Sequence, residues 1–319
     1  MRDALRAHRT YSHPLFDRLA EPAVDARAFR VFAANFMART VFTLSEILAG
    51  CQDAALDLNF TRIAYGVLTA ADEGGFGRPL RVHPRLMESS LNNHLVMAYG
   101  DSPIRLREIF LALQGLDYCD RLTILESISQ QLSPSDRRSL ANTLLIPEMS
   151  RRLTCIEEQV LPERKGLVDA EVVRLQQLRE ELARFLELEQ VLPATVDYCL
   201  AQLKLLRNPD PGYLAGVTYA HEFLGDRLFV GVCQALAARR AAYRDDSFLT
   251  TTYEYVREHG DYLLLNDSND AERIEDIHFQ REEEKLNSLR SCELDAAFRG
   301  ALDFCERDCR VWDGILNSL

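Results

Sequence analysis

Residues 71–83 read Ala71-Asp72-Glu73-Gly74-Gly75-Phe76-Gly77-Arg78-Pro79-Leu80-Arg81-Val82-His83. Upstream, Phe60, Ile63, Ala64, Val67, Leu68 and Ala71 recur at helical spacing. That spacing predicts a buried helix over 60–73 that ends on the carboxylate Glu73. The glycines of 74–77 end it, and a second amphipathic run, 84–98, begins just after His83. A glutamate and a histidine held together in a helical core offer a hard anionic oxygen and a borderline imidazole nitrogen. That donor set suits a non-haem iron or manganese ion.

Working outward, nearly every long segment has helical rather than alternating periodicity. A short helix over 14–21 places Leu15, Phe16 and Leu19 inward and ends at Pro22. Asp25 is the expected N-cap of a long helix through about Leu48, with Phe29, Phe32, Phe36, Val41 and Leu44 inward and Gly50 as its C-cap. Further helices are expected over 104–114, 117–132, 134–146, 195–206, 213–238, 248–258, 270–289 and 293–318. Residues 148–190, rich in Glu, Arg, Leu and Gln, read as a long, partly exposed helix or helical hairpin. The expected fold class is all-α, one domain over 1–319 with a helical insertion at 148–190.

With 319 residues, 47% of them apolar and 27% charged, the chain can bury a sizeable core. Its net charge of −12 argues against nucleic-acid and anionic-membrane partners, because both are polyanions. The N-terminus lacks a signal-peptide apolar core, and no stretch reads as the roughly 20 apolar residues that span a bilayer. A cytoplasmic location is the expectation. The eight scattered cysteines contain no Cys-x-x-Cys and read as small core residues. Cys305 and Cys309 share a helix face, but no matching pair of ligands lies nearby for zinc.

Four other residues could join Glu73 and His83. Glu222, in Tyr219-Ala220-His221-Glu222, sits among Val217, Leu224, Leu228 and Val232, where a lone carboxylate needs a partner. A solvent-facing Glu222, or one paired with Arg227, is the alternative. Glu275 and His278 are three apart and share a helix face, the Glu-x-x-His spacing of bundle di-iron proteins. Against this, Glu282, Glu283, Glu284 and Lys285 suggest a solvated charged face. His259 precedes Gly260 at a helix end, where a histidine facing the helix dipole, capped by Gly260, is the simpler reading. Glu46 is an accessory carboxylate at best, a surface glutamate being the simpler reading. His8, His13, His94 and His221 receive no metal role. Gly74-Gly75-Phe76-Gly77 lacks the spacing of a phosphate loop, and no Gly-x-Ser-x-Gly elbow occurs.

Together these stretches resemble the haem-oxygenase-like di-iron oxidases and oxygenases, relatives of the TenA-type thiaminases and the pyrroloquinoline quinone synthase PqqC. The likeness runs through His13-Pro14-Leu15-Phe16, the aromatic helix Phe29–Phe42, Asp72-Glu73-Gly74 with His83-Pro84-Arg85-Leu86, Tyr219-Ala220-His221-Glu222, and Ala301-Leu302-Asp303 through Val311-Trp312-Asp313-Gly314. It covers mainly 13–98 and 212–318. The family's last ligand motif, His-x-x-x-Asp-x-x-His, is incomplete here. Ending on His278 it keeps Glu275 but has Ala271 at the first histidine. Ending on His259 it has Val256 and Thr252 at the other two positions. The resemblance implies a haem-oxygenase-like helical bundle with Glu73, His83, Glu222 and either Glu275 and His278 or His259 binding one or two Fe(II) ions. It further implies O2 as co-substrate and a small-molecule substrate, for example an amine to be N-oxygenated or an acid to be cleaved oxidatively in a biosynthetic pathway. A metal-free TenA- or PqqC-like enzyme and a ligand-depleted binding protein are the alternatives. Self-association as a homodimer is left open.

Overall fold

The computed structural model describes residues 1–21, 24–56, 58–74, 77–78, 82–131, 165–207, 210–243 and 282–319. Among these residues there is no strand, and the fold is all-α. The helices are α1 (Arg2–Ala7), α2 (Leu15–Leu19), α3 (Ala26–Thr40), α4 (Thr43–Leu56), α5 (Phe60–Glu73), α6 (His83–Tyr99), α7 (Leu106–Gln131), α8 (Lys165–Leu188), α9 (Pro193–Arg207), α10 (Pro211–Ala237) and α11 (Ser291–Leu316). Short 3-10 turns cover Arg9–Ser12 and Arg240–Ala242. The chain divides into two compact units: residues 1–110 with 187–319, and residues 111–186. Of the insertion expected at 148–190, residues 148–164 lie outside the described residues.

The first unit is built on α10 and α11. Asp210 caps α10 by accepting from the Tyr213 N–H at 3.0 Å, and Pro211 follows in the first turn, where its missing N–H does no harm. At the start of α11 the Glu293 carboxylate reaches back to the Arg290 N–H at 2.7 Å. The buried stripe of α11 runs Ala297, Ala301, Phe304, Asp308, Val311, Trp312 and Ile315, the 3.6-residue period of a core helix. The two helices nearly touch along their backbones. A Cβ on Gly212 would lie 2.6 Å from the Glu293 carbonyl oxygen. One on Gly216 would overlap the Ala297 carbonyl, and one on Gly300 the Tyr213 carbonyl.

Against this pair packs α3, whose Asp25 cap accepts from the Ala28 N–H at 2.8 Å as expected. Phe32 and Phe36 stack at 5.5 Å, and Phe36 meets Trp312 of α11 at 6.4 Å. Asn35 pins the entry to α9: its amide donates to the Gln190 carbonyl at 2.8 Å and its oxygen accepts from the Leu192 N–H at 2.7 Å.

The expected helix from Asp25 to Leu48 is instead two, α3 and α4, broken at 41–42. Of residues 40–43, all but Phe42 are β-branched. Thr40 and Thr43 donate their hydroxyls to the Phe36 and Thr40 carbonyls, competing with the helix ladder. Gly50 is not a cap, since α4 continues to Leu56. By length and composition one span among the described residues, Ala26–Leu56, could cross a bilayer, with a mean hydropathy of 1.2. However, 72% of that window is buried within the protein, and it carries Asn35, Arg39 and Glu46 inside, as a core helix does.

The hairpin of α4 and α5 reverses another expectation. Phe60, Val67 and Leu68, expected inward, are exposed (Phe60 by 75%), while Arg62, Gly66, Thr69 and Glu73 form the buried face. Periodicity marks the helix but does not say which face is covered. Here Gly66 admits the Cys51 sulfur of α4, and a Cβ there would sit 2.5 Å from it.

In the second unit, Cys119 and Leu122 of α7 pack with Leu175 of α8, flanked by Tyr118 and Leu182. Residues 104–114 and 117–132 were expected as separate helices. They form one, because Gly115 is not a breaker: the Leu182 methyl fills the space beside it, 2.7 Å from where a Cβ would stand. Among the described cysteines most are buried, but Cys292 is exposed.

His94 of α6 supplies a pH-sensitive core element. It packs against Phe29, Tyr99 and Tyr243 at 4.7, 5.7 and 5.8 Å, and its Nδ1 meets the Tyr243 hydroxyl at 2.7 Å. Burial, with a smaller push from Arg239, lowers its pKa to about 3. The unfolded imidazole takes up its proton near pH 6.5 and the folded one far lower. The stabilisation by neutral His94 is therefore complete above about pH 6.5 and is lost as pH falls toward 3, at up to about 1.4 kcal/mol per pH unit. Urea unfolding of the wild type should weaken over this window more steeply than that of His94→Gln. Parallel slopes would remove the assignment.

Candidate functional site

Glu73 ends α5 and His83 opens α6, with the glycine-rich turn between them. Pro84, in the first turn of α6, fits because that position has no intrahelical use for an N–H. The two side chains, both largely buried, meet with His83 Nδ1 2.9 Å from Glu73 Oε2. Adjacent ligands on an octahedral ion with bonds of about 2.1 Å stand about 3.0 Å apart. The separation is that of an imidazole–carboxylate hydrogen bond as well as that of two neighbouring ligands. This is the pairing expected from sequence.

Glu222 is half-buried on α10, and its charge acts on Glu282. Burial first, then Glu222 against the opposing Lys285, pushes the Glu282 carboxyl above its usual range. Glu282 also pairs with Lys285 and accepts from the Thr218 hydroxyl at 3.3 Å. The Arg227 side chain, Glu275, His278 and His259 lie outside the described residues.

A second constellation was not anticipated. Arg39, 1% exposed near the end of α3, donates its Nε–H to Asp308 of α11 at 2.7 Å and its Nη1 to His221 Nε2 at 2.9 Å. A guanidinium can only donate. His221 Nε2 therefore accepts, and its Nδ1 carries the hydrogen that goes to Glu46 Oε2 at 3.0 Å. The Trp312 indole donates to the other Asp308 oxygen at 2.9 Å. The guanidinium lies 5.4 Å from the Phe304 ring centre, 5.6 Å from Trp312 and 6.0 Å from Tyr198. Glu46, expected at the surface, is 1% exposed, and His221 is the reason: it gives the carboxylate a buried donor. The signal in the sequence was a single arginine in the apolar run Phe36-Met37-Ala38-Arg39, together with an aspartate one turn before the lone tryptophan.

Among the described residues, one set of three donors falls within 4.8 Å: His13, Cys309 and Asp313. The Leu15 N–H donates to His13 Nδ1 at 3.2 Å, which places the hydrogen on Nε2, aimed at Asp313 Oδ1 at 3.2 Å. Arg9 pairs with the same carboxylate at 2.9 Å. Burial would raise the Asp313 carboxyl, but Arg9 and His13 hold it below its ordinary value; burial first, with smaller pushes from Asp313 and Glu306, raises the Cys309 thiol. An ion here would need the nitrogen that holds the hydrogen and a thiolate disfavoured by burial, and it would stand against Arg9. The cluster ties the N-terminal segment to α11 and is a poor metal site.

Comparison of the chain with family models, with curated proteins and with solved structures returned no match.

Proposed function

We propose that this chain is a non-haem iron-dependent, O2-activating oxidoreductase acting on a small molecule, with Glu73 and His83 as two of its iron ligands. The observation that carries the reading is the 2.9 Å approach of a carboxylate oxygen and an imidazole nitrogen, both largely buried. The donor chemistry fits Fe(II), hard oxygen beside borderline nitrogen. Glu222 of α10 is assigned as the next ligand, and Glu275 with His278, or His259, would complete the set. When bound, the iron would supply the redox chemistry with O2. The chain's own residues hold it and exclude water: α5 turns its polar face inward to present Glu73, and the start of α6 fixes His83 beside it.

Anaerobic Fe(II) titration of the full chain, read by bound metal after dialysis, tests this. The wild type should bind one or two equivalents. Glu73→Ala and His83→Ala should each bind at least about tenfold more weakly, since losing a ligand exceeds the loss on removing a residue that merely supports one. Wild-type stoichiometry in both variants, or no iron in the parent, removes the proposal.

A further inference from the structure

Helix α5 is built inside out. Over residues 58–71 the exposed side chains are Leu58, Phe60, Thr61, Ala64, Val67 and Leu68, none of them charged. The one charged residue of that stretch, Arg62, is buried. Phe60, Ala64, Val67, Leu68 and the half-buried Ala71 fall at the helical spacing of a single face. The opposite face carries Arg62, Gly66, Thr69 and Glu73 and leans on α4, where Gly66 admits the Cys51 sulfur. Leu56 and Leu58, 79 and 69% exposed, carry the apolar surface into the turn before α5. Phe60, Val67 and Leu68 follow at 75, 54 and 48%.

A free chain exposes about 1.45 Å² per dalton, so these five residues leave about 500 Å² of largely apolar surface open. That is near the top of the range for the largest patch on a monomer. A stable interface takes about 800 Å² from each partner and, between identical subunits, is about two-thirds apolar, which again asks for about 500 Å². The character of the face narrows the partner. Non-obligate partners of different sequence meet on surfaces no more apolar than the rest of the protein. Helices that lie on a bilayer present Lys and Arg on their polar face; here the polar face is turned into the protein. Two chains of net charge −12 repel each other at large, and an uncharged face lets them meet without opposing like charges.

We propose that the outer face of α5, with Leu56 and Leu58, is the interface of a two-fold homodimer in which α5 packs antiparallel on α5 of a second copy. In such an interface the same face meets itself. An axis through the middle of the stripe sets Phe60 against the partner's Ala71 and Leu68 against the partner's Ala64, large side chains over small ones. The inner face of the same helix remains free to present Glu73, and the dimer stands or falls apart from the iron reading.

The test is sedimentation velocity of the iron-free full chain at about 1–100 μM, a span that brackets a micromolar dissociation constant. The wild type should sediment as a dimer at the upper end. Phe60→Glu, Val67→Glu and Val67→Lys alter exposed side chains, so each should keep the parent's circular dichroism. Each should weaken dimerisation about a hundredfold, because it sets an unpaired charge, facing its own like, into the interface. Val67 stands within a turn of the axis, so an equal mixture of Val67→Glu and Val67→Lys should dimerise again. A wild type that stays monomeric throughout, a dimer undisturbed by Phe60→Glu and Val67→Glu, or no recovery in the mixture would overturn the proposal. A monomeric wild type that cosediments with phosphatidylcholine vesicles, and loses this on Phe60→Glu, would give the face to a bilayer instead.

Discussion

Arg39→Ala should cost about 3–5 kcal/mol of folding free energy, read as a large fall in the urea midpoint. The substitution removes the partner of a buried carboxylate, Asp308, and a donor to His221 at once, and it opens a hole among Phe304, Trp312 and Tyr198. The lost favourable contact is the smaller share. Most of the loss is the charge of Asp308 left in an apolar interior with only the indole to solvate it. Asp308→Asn in an Arg39→Met background should therefore recover a good part of the loss, since the neutral amide still accepts from Trp312. The exposed pair Arg18–Glu21 provides the contrast. Its removal should move stability by less than about 1 kcal/mol. A small effect at Arg39, of the size seen at that surface pair, would show that the guanidinium is solvated after all.

The second large effect should come from single methyl groups. Gly216→Ala and Gly300→Ala should each destabilise by about 3 kcal/mol or more, the upper end for overpacking. Both place a Cβ on the backbone carbonyl of the facing helix, and backbone, unlike a side-chain tip, cannot swing aside. Gly225, on the same helix as Gly216, has nothing within 4 Å of the same position. Gly225→Ala should stabilise by about 0.5–1 kcal/mol through helix propensity. Thermal melts of the three variants give opposite signs if α10 and α11 touch where their glycines meet. The same sign in all three would refute that contact.

Much of the fold was legible from spacing. The predicted helices 60–73 and 84–98 match Phe60–Glu73 and His83–Tyr99 almost residue for residue, because turn glycines and a proline punctuate them. Asp25 was recognised as a cap from its residue type alone. Orientation was less legible. The apolar stripe of α5 was assigned inward, yet Thr69 and Glu73 are the buried side chains, since a helix that delivers polar groups to an interior has its hydrophobic pattern reversed. The pairing of Glu73 with His83 could be foreseen because both ends of one short turn are fixed in sequence. The Arg39 network could not, because its members come from α3, α4, α10 and α11 and meet only through tertiary packing. His221 was set aside because its neighbour Glu222 drew attention, and on a helix the two point about 100° apart.

The obligate donors on two buried rings have a spectroscopic consequence. Long-range proton–nitrogen correlation distinguishes a protonated imidazole nitrogen from a bare one, because the bare one resonates far downfield. A main-chain N–H points at Nδ1 of His13, and a guanidinium points at Nε2 of His221. In one spectrum the two rings should be mirror images: His13 bare at Nδ1 and protonated at Nε2, His221 the reverse.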